Sequence, residues 1–105
     1  MNVADHVIRV NRVLDITAYL EIDKAIVERV YDASPVILLD MSPLRKLSPK
    51  AVSPLLRRAK WTQAYGSELR LAGARPSIRS ILQKRDRDGM LKLYATPMEA
   101  LNARA

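Results

Sequence analysis

The sequence predicts an α/β domain with a mixed, largely parallel sheet, and two observations carry that expectation. Apolar or alternating runs recur at Val7–Leu14, Val36–Leu39, Leu69–Ala72 and Met90–Tyr94, each too short for a helix. Between them lie stretches of about ten to fifteen residues with apolar positions at helical spacing, the alternation that short right-handed crossovers produce. The expected architecture is a sheet of about four to five strands with about four helices packed against it. A chain of 105 residues, 49% hydrophobic, suits one domain with one core over residues 1–105.

Val7, Ile8, Val10, Val13 and Leu14 alternate roughly with Arg9, Asn11 and Arg12, a pattern for one strand with a wet face that Asp15 ends. Thr17 is placed to cap a helix from about Ala18 to Tyr31, with Leu20, Ile26, Val27 and Val30 inward. Ser34-Pro35 breaks that helix. Val36–Leu39 then reads as a strand buried on both faces, which leaves Asp40 at its carboxyl end.

A polar loop carries Ser42, Pro43, Arg45 and Lys46, and Ser48-Pro49 has the form of a helix start, serine as N-cap and proline at the first helical position. The helix continues to about Tyr65, with Val52, Leu55, Leu56, Ala59 and Thr62 inward and Gly66 as its cap. Pro54 sets two alternatives for its start. A helix from Pro49 loses the bond to the Lys50 carbonyl, about 3 kcal/mol in a helix interior, so either its first turn is bent or Ser53 is the true N-cap.

Leu69, Leu71, Ala72 and Gly73 form the next strand, Pro76 to about Lys84 a helix on Ile78, Ile81 and Leu82, and Met90–Tyr94 a further strand. Thr96-Pro97 opens the last helix, where Met98 and Leu101 are expected inside and Glu99 lies in the first turn, favoured by the helix dipole.

Charge is uneven. Residues 1–40 hold four Lys/Arg against seven Asp/Glu, and residues 41–105 hold fourteen against four, so the halves carry about −3 and +10. Such an excess attracts acidic surfaces, phosphates or anionic head groups, or is simply a solvated basic face. The arginines are scattered singly and no nucleic-acid motif accompanies them, so nucleic acid is not the expected partner. Without cysteine there is no disulfide and no thiolate metal site. No apolar run reaches transmembrane length and the start of the chain lacks the form of a signal peptide, so a cytoplasmic protein is expected.

Enzymatic chemistry finds little support. His6 is the one histidine, near a terminus and expected at the surface, so neither a zinc site nor a catalytic triad is indicated. Asp15 and Asp40 both fall at strand ends, where aspartate commonly stops a strand, and nothing in their spacing pairs them. Gly66, Gly73 and Gly89 lie too far apart for a phosphate loop. Neither catalytic residues nor a cofactor is expected.

The order of elements, with Val13-Leu14-Asp15-Ile16-Thr17-Ala18, Ile37-Leu38-Leu39-Asp40-Met41-Ser42, Leu69-Arg70-Leu71-Ala72-Gly73, Pro76-Ser77-Ile78-Arg79 and Glu99-Ala100-Leu101, resembles the STAS domain of bacterial anti-sigma factor antagonists and of SulP-type anion transporters. In that family an Asp-Ser-Ser-Gly or Asp-Ser-Thr-Gly motif follows the central strand and its serine is phosphorylated by a partner kinase. Here the motif falls on Ser48-Pro49-Lys50-Ala51, with Pro49 in the place of the modified serine. Proline has no hydroxyl, so the resemblance implies a degenerate site. Ser48 is the remaining candidate for phosphorylation, at a helix N-terminus beside Lys50, against the plainer role of helix cap.

The resemblance implies a regulatory interaction module whose partner docks on Asp40, Ser42, Lys46, Ser48, Lys50, Arg57 and Arg58. Because that surface is basic, its partner is expected to be a kinase-like anti-sigma protein or another acidic regulator. The alternatives are a module of, or related to, a SulP-type anion transporter, and a subunit binding a nucleotide or anionic lipid through Lys46, Lys50 and the helix N-terminus. Trp61 and Tyr65, one turn apart with Arg57 a turn before, read either as an interface anchor or as aromatics at the rim of the core covered by Arg57.

Overall fold

The computed structural model describes residues 7–103, and His6 lies outside them. Strands β1 (Val7–Arg9), β3 (Val36–Asp40), β5 (Glu68–Ala72) and β6 (Lys92–Tyr94) form one sheet in the order β1-β3-β5-β6. Two short strands, β2 (Val13–Leu14) and β4 (Lys46–Leu47), form a second. Every pair among the described residues is parallel, with Leu38 opposite Val7 on one side and Arg70 on the other.

Four helices, α1 (Ile16–Tyr31), α2 (Pro49–Ala64), α3 (Pro76–Arg85) and α4 (Pro97–Asn102), cover the main sheet unequally. Side chains alternate across a strand, so Ile37, Leu39, Leu69 and Leu71 share one face. There they join Ile22, Ile26, Leu55, Ala59, Ile78 and Leu82 from the first three helices in the main core. On the other face Leu38 and Ala72 meet Ala100 of α4.

That second face also holds Arg70, only 2% exposed. Its guanidinium donates twice to Glu68 Oε2, at 3.0 and 2.8 Å, and once to the carbonyl of Ala100, and it lies over the Tyr94 ring. A charge so buried persists only with partners of this kind. The arginine therefore ties the last helix to the sheet.

Several expectations need correction. The single strand expected over residues 7–14 is two, in different sheets. Val10 N–H still donates to the Asp40 carbonyl, but the chain then bends at Arg12, whose carbonyl accepts from Arg45 and Lys46. The expected loop after Asp40 thus contains β4. Helix α1 begins before Thr17, because the Asp15 carboxylate, 2.9 Å from the Ala18 N–H, is the cap. Its inward residues include Tyr19 and Ile22, while Leu20 is 62% exposed.

Helix α2 starts at Pro49, which removes the Ser53 alternative, and Pro54 sits inside it. It ends in a Schellman turn, Gly66 N–H to Gln63 and Ser67 N–H to Thr62, with Gly66 at φ +87°. The fourth expected strand begins at Lys92 rather than Met90. In α4 the capping Thr96 and first-turn Glu99 stand as expected, but Ala100 faces in and Met98 is 66% exposed. A helix of one and a half turns buries a narrow stripe, and the small residue lies on it.

Candidate docking site

The carboxyl end of β3 is built around Asp40. Its Oδ1 accepts from the Ser42 hydroxyl at 2.6 Å and from the Ser42 N–H at 3.0 Å, folding the chain back at the strand end. Arg9 approaches the other oxygen at 3.9 Å. Gly73, at the end of β5, packs beside Ser42 so closely that a Cβ would come within 2.4 Å of the serine hydroxyl oxygen. Only glycine fits that contact, at φ +78°.

The loop that follows is held from below. Met41 and Leu44 are fully buried, and Met41 N–H donates to the Ala72 carbonyl. Pairing of β4 with β2 and the bond from Ser48 N–H to the Leu14 carbonyl, 2.9 Å, bring the chain to α2. Arg45, Lys46 and Lys50 are left exposed on this anchored backbone. Ser48 occupies the N-cap position with extended backbone, but its hydroxyl makes no capping bond. The hydroxyl cap expected there is therefore absent, and proline at the first helical position already removes one N–H from the helix end.

The expected docking residues divide into three groups. Lys46, Ser48 and Lys50 adjoin where α2 begins, and Arg57, seven residues beyond Lys50, lies on the same exposed helix face. Asp40 shares its sheet face with Leu38, the side covered by α4 rather than α2, so its carboxylate shapes the loop and does not join the basic surface. Arg58 turns toward α1, where its guanidinium meets the Asp23 carboxylate at 2.7 and 3.0 Å. Asp15 and Asp40 serve separate bonds and form no carboxylate pair.

Between α1 and α2 is a cleft of about 460 Å³ lined by Ile16, Leu20, Pro54, Arg57 and Trp61. At its base the Tyr19 hydroxyl lies 2.8 Å from Asp23 Oδ1 and 3.0 Å from the Pro54 carbonyl. Burial, then the hydrogen bond to the Asp23 carboxylate, push the phenol above its ordinary range, and that carboxylate likewise holds Arg58 more firmly protonated. Trp61 is half-buried against Tyr65 and Tyr31, and the cation stacked on it, 4.6 Å away, is Arg58 and not Arg57. Tyr19 and Asp23 are not marked by the apolar pattern of α1, because that pattern points to the neighbouring Leu20, which is exposed.

Among the described residues, no helix is long and apolar enough to cross a membrane, and no group of three His, Asp or Glu could hold a metal. Comparison with the curated proteins finds no similar sequence. Solved structures are similar throughout the chain. The unphosphorylated anti-sigma factor antagonist SpoIIAA is 24% identical over 90% of this chain and 83% of its own, with a TM-score of 0.72. An anti-sigma-factor antagonist (STAS) domain protein from Planctomyces limnophilus is 21% identical over 92% and 88%, also at 0.72. The murine anion transporter Slc26a9 is 9% identical over 90% of this chain and 17% of its own, at 0.71. These likenesses concern the fold, and the sequence profile of the STAS domain itself matches residues 2–100. With the parallel sheet, the four helices and that match together, the chain belongs to the STAS domain family.

Proposed function

We propose that this chain is a non-catalytic regulatory module of the cytoplasm that docks an acidic protein partner through residues 40–58, without a phosphoryl switch at the position its family resemblance would imply. One observation carries the reading: Pro49 stands at the first position of α2, where a switchable hydroxyl would be, on a loop already anchored by β-pairing and buried side chains. A backbone fixed before binding loses little freedom on docking. The residues have different jobs. Asp40 and Ser42 shape the loop, Arg58 braces α2 against α1, and Lys46, Ser48, Lys50 and Arg57 meet the partner. Ser48, with its uncommitted hydroxyl at a helix N-terminus, is the residue at which phosphorylation would act.

The test is affinity capture from lysate of the host with wild type and Lys46→Glu/Lys50→Glu as baits, followed by mass spectrometry including phosphopeptides over residues 42–53. Arg58 is left intact because its loss would break the Asp23 pair. Capture of a kinase-like or other acidic regulator by wild type alone supports the reading. Equal capture by both baits places docking elsewhere.

A second reading rests on the similarity to the Slc26a9 anion transporter, of which a chain this size spans 17%. Under it the domain serves a SulP-type carrier. Membrane-spanning segments encoded in the same reading frame upstream would decide for it.

A further inference from the structure

The opposite flank of α2 carries a feature that the docking loop does not use. Pro49, Ser53 and Leu56 of α2 face Ile81, Lys84, Arg85 and Arg87 of α3 and the turn after it across a groove of about 520 Å³. A further hollow of about 280 Å³ shares Leu56, Arg85 and Arg87 and extends the groove past Lys60 to Met90. Its apolar members, Leu56, Ile81 and Met90, are half-buried. Its rim consists of Arg57, Lys60, Lys84, Arg85 and Arg87.

None of these cations forms an ion pair among the described residues. Two carboxylates lie nearby, and one is already engaged: Asp86 accepts from the Met90 and Leu91 N–H groups, both at 2.8 Å, and so holds the turn after α3. Asp86 and Asp88 both still carry their charge, so five rim cations face two carboxylates. Basic residues in the last turn of a helix stabilise its dipole, which accounts for Lys84 and Arg85. That explanation does not reach Arg87, beyond the helix, or Arg57 and Lys60, on another one.

We propose that the α2–α3 groove is a second docking site, for an acidic amphipathic protein segment that seats apolar side chains on Leu56, Ile81 and Met90 and sets carboxylates against the cationic rim. Charge complementarity selects the sign of the occupant. The arrangement selects its class. A membrane-binding face carries protruding apolar side chains, whereas here they lie half-buried within a groove rimmed by cations. A single-stranded nucleic acid needs rings to stack on, and Trp61, Tyr65 and Tyr31 cluster instead on the α1 side of α2. The site shares Arg57 with the first docking surface but does not involve Lys46, so a Lys46 variant and the α3 variants below let either docking proposal fail alone.

The experiment titrates the full chain with a fluorescein-labelled helical peptide of leucine and glutamate in amphipathic order, read by anisotropy and by amide chemical shifts. The comparison ligands are the same peptide with leucine replaced by serine, phosphatidylglycerol vesicles and single-stranded oligothymidine. Binding is expected to be strongest for the amphipathic peptide, with shifts over residues 53–60 and 81–90. Arg85→Glu/Arg87→Glu, checked for native circular dichroism, and separately Lys60→Glu should each weaken it, the double variant by about tenfold or more. Lys46→Glu should leave it within about twofold, because a charge away from the contact is screened in salt. The proposal is overturned if the peptide does not bind, if the serine peptide binds equally, if vesicles or oligothymidine bind in preference, or if the groove variants bind like wild type.

Discussion

Asp23 on α1 and Arg58 on α2 hold the two helices together through a two-point ion pair, 2.7 and 3.0 Å, with both side chains about three-quarters buried. The flat guanidinium matches the carboxylate edge, and the Trp61 ring covers it from one side. Partial burial and two bonds make this more than a loose surface contact. A double-mutant cycle with Asp23→Asn and Arg58→Met, followed by urea unfolding, should give a coupling of about 1–2 kcal/mol. A coupling near zero would show that the helices are held by apolar packing alone.

Tyr19 gives this helix pair an alkaline limit. Its phenol is held protonated above the ordinary value of about 10 that it regains on unfolding. The folded state therefore keeps a proton that the unfolded state surrenders, so the contribution of Tyr19 to stability is constant below about pH 10 and falls as pH rises beyond it. Tyr19→Phe should be less stable at neutral pH by about 1 kcal/mol, and its difference from wild type should shrink above pH 10. Parallel stability curves for the two proteins through that window would contradict the assignment.

Arg70 is expected to tolerate substitution poorly. Arg70→Ala leaves the Glu68 carboxylate without its partner and the Ala100 carbonyl without a donor, at a cost of about 3–5 kcal/mol in denaturant unfolding. Arg70→Met with Glu68→Gln removes both charges and should recover part of that loss. Hydrogen exchange in α4 should rise more than in α1 for either variant, since only α4 is tied by this side chain.

Two glycines should respond differently to alanine. At Gly66 the added methyl meets nothing within 4 Å, so the cost is the left-handed backbone alone, about 1 kcal/mol. At Gly73 the same backbone penalty is joined by collision with Ser42, and the loss should be larger. Combining Gly73→Ala with Ser42→Ala should return the steric part and leave the backbone part. Equal melting points for the two single variants would refute this account.

Ala33 lies at φ +59° just beyond α1, where its N–H bonds to Val30 and the next N–H, from Ser34, bonds to Arg29. This is the turn that ends α2 as well, here made without glycine. Ala33→Gly should relieve strain and raise stability by about 0.5–1 kcal/mol, net of the added freedom of the unfolded chain. Thermal unfolding would read it as a higher midpoint.

Local chemistry made most of the scaffold legible from the sequence. Val36–Leu39 is apolar without interruption because both sheet faces are covered, and Ser34-Pro35, Ser48-Pro49 and Thr96-Pro97 punctuate the chain at element boundaries. Pro49 at the first position of α2 was equally visible, since it is a matter of residue type. The residues around Ser48 that we propose for docking stand together because they are neighbours in the chain.

What escaped depends on distance in space. Alternation over residues 7–14 could not show a strand divided between two sheets, because the division is imposed by Arg12 accepting from Arg45 and Lys46. The burial of Arg70 depends on α4 arriving from thirty residues away, and the role of Arg58 on Asp23 thirty-five residues earlier. The basic groove is likewise a meeting of α2 with the end of α3. By itself the sequence determined the order and kind of elements, because propensity, capping and periodicity act between near neighbours. Only the tertiary structure decided which charges are spent within the fold and which face outward, because pairing and burial are set by elements that meet across space.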